Sequence, residues 1–271
     1  MRRRRRASLC ATERLAIAPA IGARTHIRKR AARNTMQAMA TRAIQNELLA
    51  AMPRKAYEAL LPALAPVELV FGEVLYEPGA TITHVYFPCE SMVSLLLPVE
   101  KHFDVEVGMV GREGMVGASL ALGIVHSPLK ALVQGAGSAL RLSAAAFRRE
   151  LAHDPALQRA LNRYIHSLME QITQTAACNR FHVVEARLAR WLLMTRDRMR
   201  SAKFRMTHEF LSHMLGVRRV GVTEAASSLQ RRKLIEYTRG NIRILDEPGL
   251  EAASCGCYGI IKVPAVLPRP A

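Results

Sequence analysis

No run of about 18 consecutive apolar residues occurs in this chain, so no transmembrane helix is expected. Cysteine is scarce and odd in number: Cys10, Cys89, Cys178, Cys255 and Cys257. Scattered cysteines of this kind exclude a disulfide framework and point to a reducing cytoplasm. Cys255-Gly-Cys257 has a single intervening residue, shorter than the usual spacing of tetrahedral zinc ligands, and the sequence shows no second ligand pair beside it. No metal is therefore expected there, and no cofactor elsewhere. The strand-rich middle lacks a closely spaced histidine pair, and no nucleophile motif occurs. The chain reads as a non-enzyme, with a cupin-like metalloenzyme as the alternative those absences disfavour.

Acidic residues are also few, 22 against 39 Lys and Arg, and the imbalance is segregated. Residues 1–42 hold twelve basic residues against the single acid Glu13, a net +11. Residues 182–249 carry a net +7, and the remainder of the chain a net −1. A neutral middle joined to a basic C-terminal segment suggests a polyanion-binding module attached to something else. A bland basic surface would not explain the segregation. The N-terminus "MRRRRRASLCATERLAIAPAIGA" has the charge-then-apolar order of a secretion signal, but Glu13 and Arg14 break the apolar run. Two readings of residues 1–44 stay open. They are a basic, disordered tail, or an upstream stretch preceding a true start at Met36 or Met39. A non-specific nucleic-acid or membrane-surface binder driven by this tail is a further alternative.

The 271 residues suffice for two domains with real cores. Residues 45–65 read as short helices broken by Pro53, Pro62 and Pro66. From Val67 to about Leu142, short β-rich runs alternate with turn signals, the pattern of an all-β sandwich or roll. Gly72, Gly79, Gly108, Gly111, Gly114 and Gly117 are its expected corners, where glycine allows positive φ. The boundaries follow as a roll over 45–153, a long helix over 154–181, a nucleic-acid module over 182–249 and a tail over 250–271.

Asp154 is suited to an N-cap and Pro155 to the first helical position. Leu157, Leu161, Ile165, Leu168 and Ile172 then recur at helical spacing to about Ala176. So long and narrow a stripe reads as a dimer seam, with packing on the chain's own roll as the alternative. A second helix follows over Val184–Met194, and then a basic linker, "RDRMRSAKFRM". Thr207 is placed to cap a short helix, Gly216 to end it, and a second helix covers about Arg218 to Arg231. Two helices joined by a short turn with glycine are a helix-turn-helix signature. In the second, Val222, Ala225, Ala226 and Leu229 follow core spacing. Arg219, Val220, Thr223, Glu224 and Ser227 lie opposite, with Arg218 at the start. "IEYTRGNIRIL" reads as a hairpin with Arg239 at its tip, a wing for a phosphate. Arg231 or Arg232 are further phosphate candidates.

In this order of modules, and in "VGREGMVG" (110–117), "CNRFHVVEARLARWLL" (178–193), "LGVRRVGVTEAA" (215–226) and "YTRGNIRILD" (237–246), the chain resembles the Crp/Fnr family of bacterial transcription regulators. The resemblance implies an α+β chain: a jelly-roll-like sensor, a dimerisation helix and a C-terminal winged helix-turn-helix. It implies a homodimer on a two-fold site in double-stranded DNA, with RNA polymerase as a further partner. It also marks departures. In nucleotide-binding members a glutamate holds the ribose and an Arg-Ser or Arg-Thr pair holds the cyclic phosphate. Here those positions are Ala118 or Ser119, and Ser127-Pro128. The cassette is degenerate and cyclic-nucleotide binding is expected to be lost, Lys130 being the one available substitute. Only Cys10 and Cys89 lie where the oxygen-sensing branch has its cysteine cluster. His84, His102 and His126 form no haem site. In the reading helix Arg219 matches the family, while Val220 and Glu224 do not, so the family's target sequence is not carried over.

Overall fold

In a computed structural model of the chain, residues 45–100 and 103–261 are described. The basic segment 1–44 with Cys10, His102, and residues 262–271 lie outside them.

Two short helices, α1 (Glu47–Ala50) and α2 (Arg54–Leu60), lead into the first strands. Asn46 caps α1. Its Oδ1 accepts from the Leu49 amide at 3.0 Å, while its Nδ2 donates to the carbonyls of Pro88 and Gly114. Strands β1 (Ala65–Leu69), β2 (Val74–Tyr76), β3 (His84–Pro88), β4 (Met92–Glu100), β5 (Phe103–Val110), β6 (Lys130–Gly135) and β7 (Gly137–Ser143) follow. They form two antiparallel sheets, ordered β1-β7-β3 and β2-β6-β4-β5. Strand pairing of this kind needs alternate residues inward, and Val85, Phe87, Val93, Val133, Leu140 and Leu142 provide them at under 2 % exposure.

Of the six expected corner glycines, Gly72, Gly79 and Gly117 do have positive φ. Gly108, Gly111 and Gly114 do not, and at the last two the reason is space. A Cβ on Gly111 would overlap the Arg198 side chain, and one on Gly114 would overlap the Tyr164 ring. These glycines let the roll approach two helices closely.

Helix α3 (Ala144–His153) ends at Asp154, which caps α4 (Pro155–Phe181). The Asp154 Oδ1 accepts from the amides of Ala156 at 2.8 Å and Leu157 at 3.2 Å. This 27-residue helix corrects the seam expectation in part. Leu157 and Leu161 are buried in the chain's own core, against the roll. Ile165, Leu168 and Ile172 are half-buried, and Met169 beside them is 60 % exposed. The start of the stripe is thus buried within the chain, and Ile165 and Leu168 also pack partly against the same core.

Helix α5 (Val184–Met199) runs past the expected Met194, so the first four residues of the expected linker, Arg196–Met199, are helical. The rest forms β8 (Lys203–Arg205), which pairs with β10 (Asn241–Ile244), itself paired with β9 (Ile235–Thr238). Between them stand α6 (His208–Leu215) and α7 (Arg219–Arg231). The segment expected as a tail from residue 250 folds instead through residue 261, as α8 (Glu247–Ala253) and α9 (Cys257–Ile261). Leu250, Tyr258 and Ile261 enter the second core. That core also holds Met92, Leu96 and Met109 of the roll, so the roll and the helical module share apolar packing.

Candidate nucleic-acid interface

The two-helix motif is built by local rules. Thr207 Oγ1 accepts from the Phe210 amide at 3.1 Å, capping α6. Gly216, at φ +60°, ends it in the left-handed conformation, its amide reaching the carbonyls of Ser212 and His213. Three residues later α7 begins, with Val222, Ala225, Ala226 and Leu229 buried against α5 and α6. That inner face fixes the outer one. Arg218, Arg219, Val220, Thr223, Glu224 and Ser227 are all exposed, and Val220 is 60 % exposed. A valine left in water at the first turn of an otherwise amphipathic helix is a feature that folding alone does not require.

The wing is equally specific. Thr238 pairs with Asn241, leaving Arg239-Gly240 as a two-residue hairpin loop with φ of +48° and +81°. Both residues of such a turn need positive φ, and asparagine or glycine suits the first position best. Arginine there costs about 1 kcal/mol of backbone strain. Its exposed charge, not its turn propensity, is what the position gains. Arg231 is exposed, whereas Arg232 is taken by Glu185, Nη1 to Oε1 at 2.7 Å.

Two residues outside the expected set join reading helix and wing. The His208 ring stacks on Tyr237 with centroids 4.2 Å apart. Its Nδ1 lies 3.0 Å from Thr223 Oγ1, whose own proton is donated to the Arg219 carbonyl at 3.1 Å. Burial, then the nearby Arg219 charge, lowers the His208 pKa. A neutral imidazole with Nδ1–H toward Thr223 satisfies both geometry and electrostatics. Thr223 therefore has its hydroxyl committed within the protein. His208, Thr223 and Tyr237 are far apart in sequence, and no spacing signal links them.

The degenerate cassette also comes together. Gly117, Ala118, Ser119, Ser127 and Pro128 line one cavity of about 270 Å³ between the roll and α4, closed on the helix side by Ile165, Leu168, Met169 and Ile172. Its lining contains no charged side chain. Ser127 Oγ donates to the Leu129 carbonyl at 2.6 Å, and Lys130 pairs with Asp104 at 3.2 Å.

The roll meets α5 through buried polar groups. Trp191 Nε1 donates to Glu106 Oε1 at 2.9 Å and Ser94 Oγ to Oε2 at 2.5 Å. Arg198 pairs with Glu113 at 2.8 Å, both side chains under 10 % exposed. One further group contradicts a sequence expectation. Cys255 and Cys257 do have a second ligand pair close by, Cys178 and His182, with all four ligand atoms within 4.8 Å of one another.

The family model of the Crp-like helix-turn-helix domain matches residues 186–253. The chain carries a Crp-like helix-turn-helix domain. The match runs from α5 through the wing into α8, so the module includes the helix that meets the roll. Around this Crp-like domain, the chain has the fold of Crp/Fnr regulators. FixK2 of Bradyrhizobium japonicum superposes with a TM-score of 0.61 at 13 % identity, over 71 % of this chain and 98 % of that one. A CRP-family transcriptional regulator of Thermus thermophilus gives 0.58 at 20 % identity, over 69 % and 96 %. The global regulator CLP of Xanthomonas campestris, described as responsive to c-di-GMP, gives 0.58 at 15 %, over 71 % and 99 %. No curated protein matches the chain by sequence. At these identities the likeness is one of fold, and the roll, long helix and winged helix-turn-helix follow the same order.

Proposed function

We propose that this chain is a homodimeric, sequence-specific regulator of transcription whose roll no longer takes a cyclic nucleotide. The observation that carries the reading is the division of α7. Four residues are committed to the core, and the opposite face presents Arg219, Val220 and Glu224 with nothing to pack against. Arg219 suits guanine O6 and N7, Val220 a thymine methyl, and Glu224 a cytosine amino group. Arg218, Arg239 and Arg231 supply phosphate contacts that set register. Thr223 and Ser227 complete the face toward the groove.

Dimerisation is assigned to the outer part of the α4 stripe, Ile165, Leu168 and Ile172 with Met169, since Leu157 and Leu161 are spent on the chain's own roll. These same residues wall the cavity that holds the cassette positions. An occupant of that cavity would touch the dimer helix directly, which gives the roll a way to act on DNA binding. The uncharged lining supports loss of the cyclic nucleotide, because a buried ring phosphate without a charge partner is costly. RNA polymerase is the expected further partner of the DNA-bound dimer.

The test is Arg219→Ala at fixed salt, because phosphate affinity varies steeply with salt. Loss of one bidentate base contact should remove about 1–3 kcal/mol of discrimination between the selected and a random duplex. Unchanged discrimination would remove Arg219 from the reading face.

A further inference from the structure

Among the described residues, three buried cysteines cluster apart from both large cores, with the half-buried Ala186 packed against them. Two elements far apart in sequence supply them. Cys178 and His182 stand one helical turn apart at the end of α4, on one face of that helix. Cys255 and Cys257 bracket the turn between α8 and α9. The Cys178 and Cys255 sulfurs are 3.4 Å apart, and Cys257 Sγ is 3.5 Å from His182 Nδ1. Tetrahedral zinc with bonds of about 2.3 Å to sulfur and about 2.0 Å to nitrogen has sulfur–sulfur edges of about 3.8 Å and sulfur–nitrogen edges of about 3.5 Å. The observed separations lie close to those edges. They are far longer than a disulfide bond of about 2.05 Å.

The surroundings match a charged centre. Three thiolates and a neutral imidazole around a divalent ion leave one negative charge. Arg190 is buried beside the cluster, its Nη1 3.3 Å from Thr175 Oγ1 and its Nε without a hydrogen-bond partner. The Arg190 guanidinium lies within electrostatic reach of both Cys178 and Cys255. Gln174 Nε2 donates to Cys257 Sγ at 3.0 Å, an outer-shell bond of the kind that orients a ligand. The exposed His182 leaves an entry path from solvent. A purely apolar role would not need an arginine with an unmet donor beside three thiols.

We propose that Cys178, His182, Cys255 and Cys257 bind a single zinc ion in a tetrahedral Cys3His site. It would clamp the end of the long helix to the turn that closes the Crp-like domain. His182 is also the C-cap of α4, immediately before α5 begins. The metal would therefore fix the joint between the dimer helix and the reading module. Because Cys178 and His182 meet Cys255 and Cys257 only in the folded chain, folding of this joint would depend on metal.

The test uses the full chain, purified reduced and assayed for bound metal, then exchanged with cobalt(II). The expected result is one metal per chain and the thiolate charge-transfer and intense d–d bands of tetrahedral cobalt, lost on adding zinc. His182→Cys should keep one ion with an altered cobalt spectrum. A Cys255→Ser, Cys257→Ser double variant should lose roughly 100-fold or more in affinity. The cobalt spectrum of the unaltered chain stands even if that variant misfolds. The proposal is overturned if the reduced chain gives no tetrahedral cobalt spectrum, if the double variant keeps it, or if the chain carries an iron–sulfur chromophore instead.

Discussion

Glu106 is the buried carboxylate at which the roll meets the Crp-like domain, and replacing it with glutamine has a calculable consequence. The group is 6 % exposed, and burial raises its pKa from 4.5 to about 7. The hydrogen bonds from Ser94 and Trp191, and the charges of Arg190 and Arg198, oppose that rise without cancelling it. The folded protein thus holds a proton on Glu106 that the unfolded chain releases between about pH 4.5 and pH 7. Stability must fall as pH rises through that window and then level off. A displacement from 4.5 to about 7 is worth about 3 kcal/mol at full ionisation. Glu106→Gln keeps an acceptor for Trp191 and places an amide against the Ser94 hydroxyl, so the variant should lack this slope. Trp191 is the chain's single tryptophan and hydrogen-bonds Glu106 directly, so its fluorescence reports the junction. In urea unfolding at fixed protein concentration, from about pH 5 to pH 8, the variant should gain on the parent by about 2.5 kcal/mol as pH rises, since part of the linkage is already spent at pH 5. Parallel curves for the two proteins would show that Glu106 holds no proton of this kind.

The close approach of roll and helix at Gly114 gives a second expectation. Gly114→Ala drives a methyl into the Tyr164 ring and should cost about 1–3 kcal/mol, read as a lowered thermal midpoint, and an unchanged midpoint would show that the contact relaxes freely. Calorimetric titration with cyclic AMP or cyclic GMP should give no binding heat, and a micromolar affinity would mean that the cassette still works.

Much of this architecture was legible because it rests on local rules. The Asp154 and Thr207 caps, the glycine at 216 and the alternation around Arg239-Gly240 each need only a few neighbouring residues. The inner face of α7 followed from its periodicity alone. What stayed hidden depends on packing between distant segments. Apolar spacing marks Leu157 and Leu161 as buried but cannot say whether the partner is the roll or another chain. A three-residue strand such as Lys203–Arg205 has no periodicity of its own, and only pairing with Asn241–Arg243 defines it. Gly111 and Gly114 resemble turn glycines in sequence, yet helix contacts decide them. The metal-ligand geometry was missed for the same reason, since Cys178 and Cys255 are 77 residues apart.

Sequence-specific reading by α7 is tested most directly by selecting, from a random pool at defined salt, the duplexes that the full chain binds. A two-fold symmetric site is expected, with half-sites about 10–10.5 base pairs apart or a multiple of that. Arg219→Ala should relax one position in each half-site. Recovered sequences with no symmetric consensus, or with one unaltered in Arg219→Ala, would rule out a dimer that reads DNA through this helix.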